Sequence, residues 1–280
     1  MTGAVRRSLI ALATLLCVAL PAVGVPAKAW TGHIASTARG SLTVFAAASL
    51  KDAFTTIGAQ FGARTGARVI FSFGGSDTLA TQIVEGAPAD VFASANMAQM
   101  TVVANKGLIA SKPAVFARNR LVVIVPKDNP ARVFRLPDLG RPGLKLVLAA
   151  PSVPVGKYAR ASFHLMANDP AFGPHFLQRV DANVVSNETN VEAVVSKVAL
   201  GEADAGVVYV SDLTTRDAAQ VRSIVIPARF NQVATYPIAV VKGSHNAVLA
   251  RQFVAYVLSS AGRTVLRKDG FITRDVDPTR

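Results

Sequence analysis

Four stretches of this chain place small residues between a short apolar run and a helical period: Ala46-Ala47-Ala48-Ser49, Gly74-Gly75-Ser76, Pro154-Val155-Gly156 and Asn190-Val191. The first turn of a helix carries backbone N–H groups without intrahelical acceptors and the positive end of the helix dipole. That is the chemistry of an anion site that needs no cationic side chain. Ser49 and Ser76 add hydroxyl donors, and Tyr209, which ends the run Val207-Val208-Tyr209, adds a phenol. Each feature alone has a plainer reading, because Ser and Gly open helices as caps and a Tyr at a strand end commonly packs half-buried. Spacing leaves open whether the five donors meet. Patterns for catalysis are missing: no Ser lies in G-x-S-x-G or S-x-x-K, and His33, His164, His175 and His245 show no H-E-x-x-H or paired spacing. A secreted serine hydrolase built on Ser49 or Ser76, or a zinc site, therefore has no support.

The elements that must position these donors alternate along the chain. Short apolar or β-branched runs at 42–46, 67–73, 90–94, 120–125, 144–149, 205–210 and 236–241 read as strands. Apolar residues recur at helical spacing over 49–61, 77–85, 157–166, 191–199 and 247–258. Strands alternating with helices predict an α/β fold of mostly parallel sheets flanked by helices, with the ligand crevice beyond the carboxyl ends of the strands. No repeat of 20–50 residues recurs, which excludes a solenoid.

The N-terminus reads as an address. Arg6 and Arg7 precede a 12-residue apolar run, Leu9 to Leu20, followed by Pro21 and Ala27-Lys28-Ala29. This is the pattern of a secretory signal over residues 1–29, cleaved near Ala29, and the run is short of the roughly 20 residues that a membrane span needs. Cys17, the single cysteine, would be the lipid-carrying residue of a lipoprotein, but Leu16 stands where that processing prefers a small side chain. Residues 30–41 are small and polar and read as a flexible leader. The formal charge of +13 falls to +10 without residues 1–29, where 27 Lys plus Arg face 17 Asp plus Glu. Those cations are scattered, with Arg267-Lys268 the one adjacent pair, and a single Trp and four Tyr make no stacking platform, so nucleic acid is not an expected partner.

Several blocks, in order, resemble the periplasmic molybdate-binding proteins of molybdate ABC importers. They are Leu42-Thr43-Val44-Phe45-Ala46-Ala47-Ala48-Ser49-Leu50, Phe73-Gly74-Gly75-Ser76, Gly86-Ala87-Pro88-Ala89-Asp90-Val91-Phe92-Ala93-Ser94, Val153-Pro154-Val155-Gly156-Lys157-Tyr158, Asn190-Val191, Gly201-Glu202-Ala203-Asp204-Ala205-Gly206-Val207-Val208-Tyr209 and Tyr236-Pro237-Ile238-Ala239-Val240. The resemblance spans about Leu42 to Phe271. It implies a two-lobed, type II venus-flytrap protein that closes over one tetrahedral oxyanion, molybdate or tungstate, and hands it to a membrane permease. Such a protein is a monomeric binder in the periplasm, with no cofactor and no catalysis. By motif, Ser49 and Ser76 would each give a hydroxyl and an N–H, Val155 and Val191 backbone N–H groups, and Tyr209 its phenol. Molybdenum would be held only as the oxyanion, with no metal–protein bond, and neither Lys51 nor Lys157 is assigned a ligand role.

The family's two lobe crossings would fall near Asn119 and Ala234, giving a first lobe of 42–118 and 234–280 and a second of 119–233. By residue count the first carries +6 and the second +3, so both favour anion approach. Two positions depart from the family pattern. Val155 replaces a smaller residue, which a backbone donor tolerates. Asp77 puts a carboxylate directly after Ser76 and is expected to cap its own helix rather than face the anion. Sulfate or phosphate remains the alternative ligand. A DNA-binding regulator with a similar ligand domain is disfavoured by the export signal and by the lack of an N-terminal helix-turn-helix.

Overall fold

A computed structural model describes residues 40–273. The signal over 1–29, Cys17, nearly all of the expected leader and residues 274–280 lie outside the described residues. The first strand, β1 (Ser41–Ala47), buries Leu42, Val44 and Ala46 on one side and Phe45 on the other. It leads through a 3-10 turn at Ala48–Leu50 into α1 (Lys51–Thr65), whose Ala53, Phe54, Ile57 and Phe61 form the buried stripe read from the sequence. Next come β2 (Arg68–Gly74), α2 (Ser76–Val84), β3 (Val91–Ala93) and α3 (Met97–Asn105). A long strand, β4 (Ala114–Pro126), precedes β5 (Leu146–Ala149), α4 (Pro154–Ala167), α5 (Phe176–Ala182), β6 (Val184–Glu188), α6 (Val191–Ala199), β7 (Ala205–Tyr209) and β8 (Val221–Val225). The described chain ends with β9 (Val233–Val240), α7 (Ala247–Leu258) and α8 (Ser260–Lys268).

The nine strands follow the order β2-β1-β3-β9-β4-β7-β5-β6, with β8 beside β4. The pairings β1–β2, β1–β3, β5–β6 and β5–β7 are parallel, and β3–β9, β4–β9, β4–β7 and β4–β8 are antiparallel. The α/β class holds, but the expectation of mostly parallel sheets is corrected: half of the pairings are antiparallel. The cause is β4 and β9, which run against their neighbours. The first part of β4, up to Arg120, pairs with β9, and the part from Leu121 pairs with β7 and β8, so one continuous strand serves both groups of parallel strands. Asn119 stands opposite Ala234 where these two strands meet.

One large core joins both groups of strands, and a smaller cluster that includes Phe45, Leu79, Ile83, Phe92 and Met100 packs α2 and α3 on the opposite face of β1 and β3. Among the described residues no helix is long and apolar enough to cross a membrane.

Candidate functional site

Every donor singled out in the sequence sits where a strand hands over to a helix or turn. Ser49 lies in the 3-10 turn that joins β1 to α1. Ser76 is the first residue of α2, is 1% exposed, and follows Gly75 at the N-cap. Val155 is the second residue of α4, which opens with Pro154; proline is favoured there because its missing N–H would have had no helical partner. Gly156 allows that turn to press onto the end of β5, since a Cβ there would run into the carbonyl oxygens of Ala149 and Ala150. Val191 is the first residue of α6, whose N-cap Asn190 accepts from Ala193 N–H at 3.1 Å, leaving the Val191 N–H without a helical acceptor. Tyr209 is the last residue of β7 and its backbone N–H donates to Asp212 Oδ2 at 2.8 Å.

The structure brings all five together. Ser49, Ser76, Val155, Val191 and Tyr209 line one small cavity, in which the centre of a water-sized sphere has about 10 Å³ to occupy, walled otherwise by small or apolar residues and Asn190. No charged side chain is part of its lining. The first turns of α2, α4 and α6 and the 3-10 turn before α1 border this space, so what partial positive charge its lining offers comes from backbone dipoles and not from a cationic side chain. The Tyr209 hydroxyl is buried and makes no hydrogen bond of good geometry. An orphaned buried donor of this kind is costly unless something outside the chain accepts from it. Burial raises the Tyr209 phenol well above its ordinary range, and the nearby Tyr236, Tyr158 and Asp212 push the same way, so it stays protonated and able to donate.

Ser49 and Ser76 are held from behind. Ser49 Oγ lies 2.9 Å from the Tyr236 hydroxyl, and Ser76 Oγ accepts from Ala95 N–H at 3.0 Å. Sequence reasoning missed both partners. Tyr236 was visible only as part of the Tyr236-Pro237 block, and nothing local links it to Ser49, 187 residues away.

The cap expected of Asp77 is not formed. The N-cap of α2 is Gly75 and carries no side-chain cap bond, and Asp77 Oδ1 is buried without a hydrogen-bond partner. The carboxylate is not part of the cavity lining, and its place in the first turn of α2 still sets it at the positive end of that dipole. Lys157 is exposed, and Lys51 pairs with Glu192 at 3.2 Å, so neither lysine reaches the small cavity.

A larger cavity of about 520 Å³ adjoins the first at Ala48 and Ser49. Asp52, Glu192, Asp212, Asp217 and Asp269 line it together with Lys51, which pairs with Glu192, so its lining is predominantly acidic. Burial pushes the Asp212 carboxyl up to about 7; the Tyr209 N–H opposes the shift, and the Glu192 and Asp52 carboxylates add to it. Among the described residues no group of three or more His, Cys, Asp or Glu could hold a metal ion.

Residues 42–272 match the family model described as bacterial extracellular solute-binding protein. The chain belongs to this family. Its relatives include the molybdate-binding protein ModA of Mycobacterium tuberculosis, 46% identical over 232 residues that cover 82% of this chain and 84% of the relative. ModA of Escherichia coli is 31% identical over 240 residues, covering 83% of this chain and 89% of the relative. Among solved structures, the periplasmic molybdate-binding protein of Azotobacter vinelandii superposes with a TM-score of 0.72 at 22% identity, covering 82% of this chain and 98% of that one. The sulfate-binding protein SubI of Mycobacterium tuberculosis superposes with a TM-score of 0.75 at 19% identity, covering 86% and 88%. At these identities the two structures establish the fold of this solute-binding protein and nothing narrower.

Proposed function

We propose that this solute-binding protein takes up molybdate, with tungstate as a near-equivalent ligand, in the periplasm and delivers it to the permease of an ABC importer. The observation that carries the reading is the small cavity: five neutral donors converge on it and one of them, the Tyr209 hydroxyl, is buried without an acceptor. The ligands are Ser49 and Ser76 through hydroxyl and N–H, Val155 and Val191 through N–H, and Tyr209 through its phenol. A dianion gains a charge-assisted hydrogen bond from each, while water and counter-charges are kept out. The 46% identity to a ModA over most of both chains supports molybdate as the cargo.

The chain acts as two lobes, 42–118 with 234–280 and 119–233, that pivot on β4 and β9 near Asn119 and Ala234. Anion binding stabilises the closed arrangement. The mature protein is exported by the signal at 1–29 and works as a monomer, and binding rather than catalysis is its role. Ser49 and Ser76 face Tyr236 and a backbone N–H where a hydrolase would place a base, and His164, His175 and His245 all lie outside the cavity lining.

Isothermal titration of the purified protein with molybdate, tungstate, sulfate and phosphate tests this reading. Molybdate and tungstate are expected to bind tightly and sulfate and phosphate weakly, since a smaller anion leaves donors unpaired. Ser49→Ala and Ser76→Ala are each expected to weaken molybdate by about 1.5–3 kcal/mol, the worth of a hydrogen bond to a charged group. Unchanged affinity in both variants refutes the site, and sulfate binding more tightly than molybdate changes the ligand.

A further inference from the structure

Tyr236 lies on β9 near its junction with β4, fully buried among Phe116, Tyr209 and Phe271, whose ring centroids are 6.2, 5.9 and 5.3 Å away. Its hydroxyl is 2.9 Å from Ser49 Oγ, a distance that fits either oxygen as the donor. The surroundings are not symmetric. Ser49 lines the small cavity, so a proton turned that way has the incoming anion as its acceptor. The phenol's other polar neighbours are Asn119 and the Tyr209 hydroxyl, and Tyr209 meets it without the geometry of a formed hydrogen bond, which leaves Ser49 Oγ the better-placed acceptor. On the phenol's far side stands Asn119, whose carbonyl oxygen accepts from Arg120 N–H at 2.9 Å and whose amide donates to Ser211 Oγ at 2.8 Å. A phenol proton turned toward Asn119 would have to share an oxygen that Arg120 N–H already uses, whereas Ser49 Oγ stands at 2.9 Å, and an unmet buried donor costs more than a met one.

We infer that Tyr236 is a positioning residue for the anion site: its phenol donates to Ser49 Oγ, fills the acceptor side of that hydroxyl and commits the Ser49 proton to the cavity. Ser76 is oriented in the same sense by a group with no choice of direction, since the Ala95 N–H can only donate to its Oγ. The two serines therefore present protons to one point, Ser76 through a neighbouring turn and Ser49 through a side chain on the strand that pairs with β4. Ser211, Asn119, Tyr236 and Ser49 form a polar line that ties both of these long strands to the ligand turn.

The inference rests on the cavity being an oxyanion site, and a double-mutant cycle separates the two. Molybdate titrations of the wild type, Tyr236→Phe, Ser49→Ala and the double variant are run beside melting of each protein without ligand. The phenylalanine keeps the ring and its packing and removes only the hydroxyl. Tyr236→Phe is expected to weaken molybdate about three- to tenfold in the otherwise wild-type protein, the range of one lost neutral hydrogen bond. In the Ser49→Ala background the same change is expected to leave affinity within about twofold, because the group it positions is gone. The same change should also lower the unliganded melting temperature less in the Ser49→Ala background, where the hydroxyl has already lost its partner. Wild-type affinity in Tyr236→Phe, with Ser49→Ala weakened, overturns the inference and leaves the oxyanion site standing. Equal weakening in both backgrounds also overturns it, showing a purely structural contribution. A wild type that binds no molybdate overturns the reading of the cavity and the inference with it.

Discussion

Asp77 is the residue whose chemistry fits its place least well. It follows Ser76 in the first turn of α2, where a negative charge gains from the helix dipole, yet Oδ1 is buried with no partner. A Cβ added to Gly75 would stand 2.6 Å from that oxygen and 2.5 Å from the Thr189 carbonyl, so the carboxylate lies against the turn that carries Ser76. The unmet oxygen and its charge both oppose binding of a dianion next door. Asp77→Asn keeps the shape and removes the charge, and calorimetry should show molybdate binding several-fold tighter. Unchanged affinity would mean that the helix dipole already offsets the carboxylate in full.

At the scale of elements, the close approach of Gly75 to Thr189 puts the β2–α2 turn against the β6–α6 turn, the two turns that carry Ser76 and Val191. Gly75 has an ordinary extended backbone, φ −60° and ψ 133°, so a side chain is excluded by contact and not by conformation. Gly75→Ala should therefore fold normally but force the turns apart. Overpacking of this kind costs about 1–3 kcal/mol, which should appear as a loss of molybdate affinity of about tenfold or more, with the unliganded melting temperature nearly unchanged. Equal affinity in the variant would show that the two turns need not meet around the anion.

For the whole molecule, charge has two separate roles. The net positive charge draws small anions toward the protein over distances limited by salt screening, to about 8 Å at physiological ionic strength, while the lining of the small cavity includes no charged side chain. Asp212, in the acid-lined neighbouring cavity, adds a pH dependence of its own. Burial holds Asp212 at about 7 against an ordinary 3.8, so at intermediate pH the folded chain keeps a proton that the unfolded chain has released. The stability tied to that proton is fully present below about pH 4 and is lost as pH rises through about 7. Melting curves across that window should show the wild type falling relative to Asp212→Asn as pH rises. A constant difference between the two proteins would mean that Asp212 does not titrate there.

Local patterns were legible without any structure. The helices Val191–Ala199 and Ala247–Leu258 have the boundaries that their apolar spacing predicts, because each buries one stripe of regularly placed side chains. The edge strand β6, the strand β8 and the helices α3, α5 and α8 were not read: β6 and β8 lack a continuous apolar run, and each of these helices buries only two or three residues, too few to show a stripe. The five donors were legible for a similar reason, since small residues and hydroxyls at strand-to-helix turns are a local signature of free helix amides. Their convergence was not. It depends on where β4 and β9 carry the chain and on which turns those strands bring face to face. The same long-range topology sets Tyr236 behind Ser49, leaves Asp77 Oδ1 without a partner and makes half of the strand pairings antiparallel. The order of residues determined what each turn can donate, because that is a property of a few adjacent groups. Tertiary structure alone decided which of those donors share one cavity, because contacts between residues far apart in the chain exist only once the whole sheet is assembled.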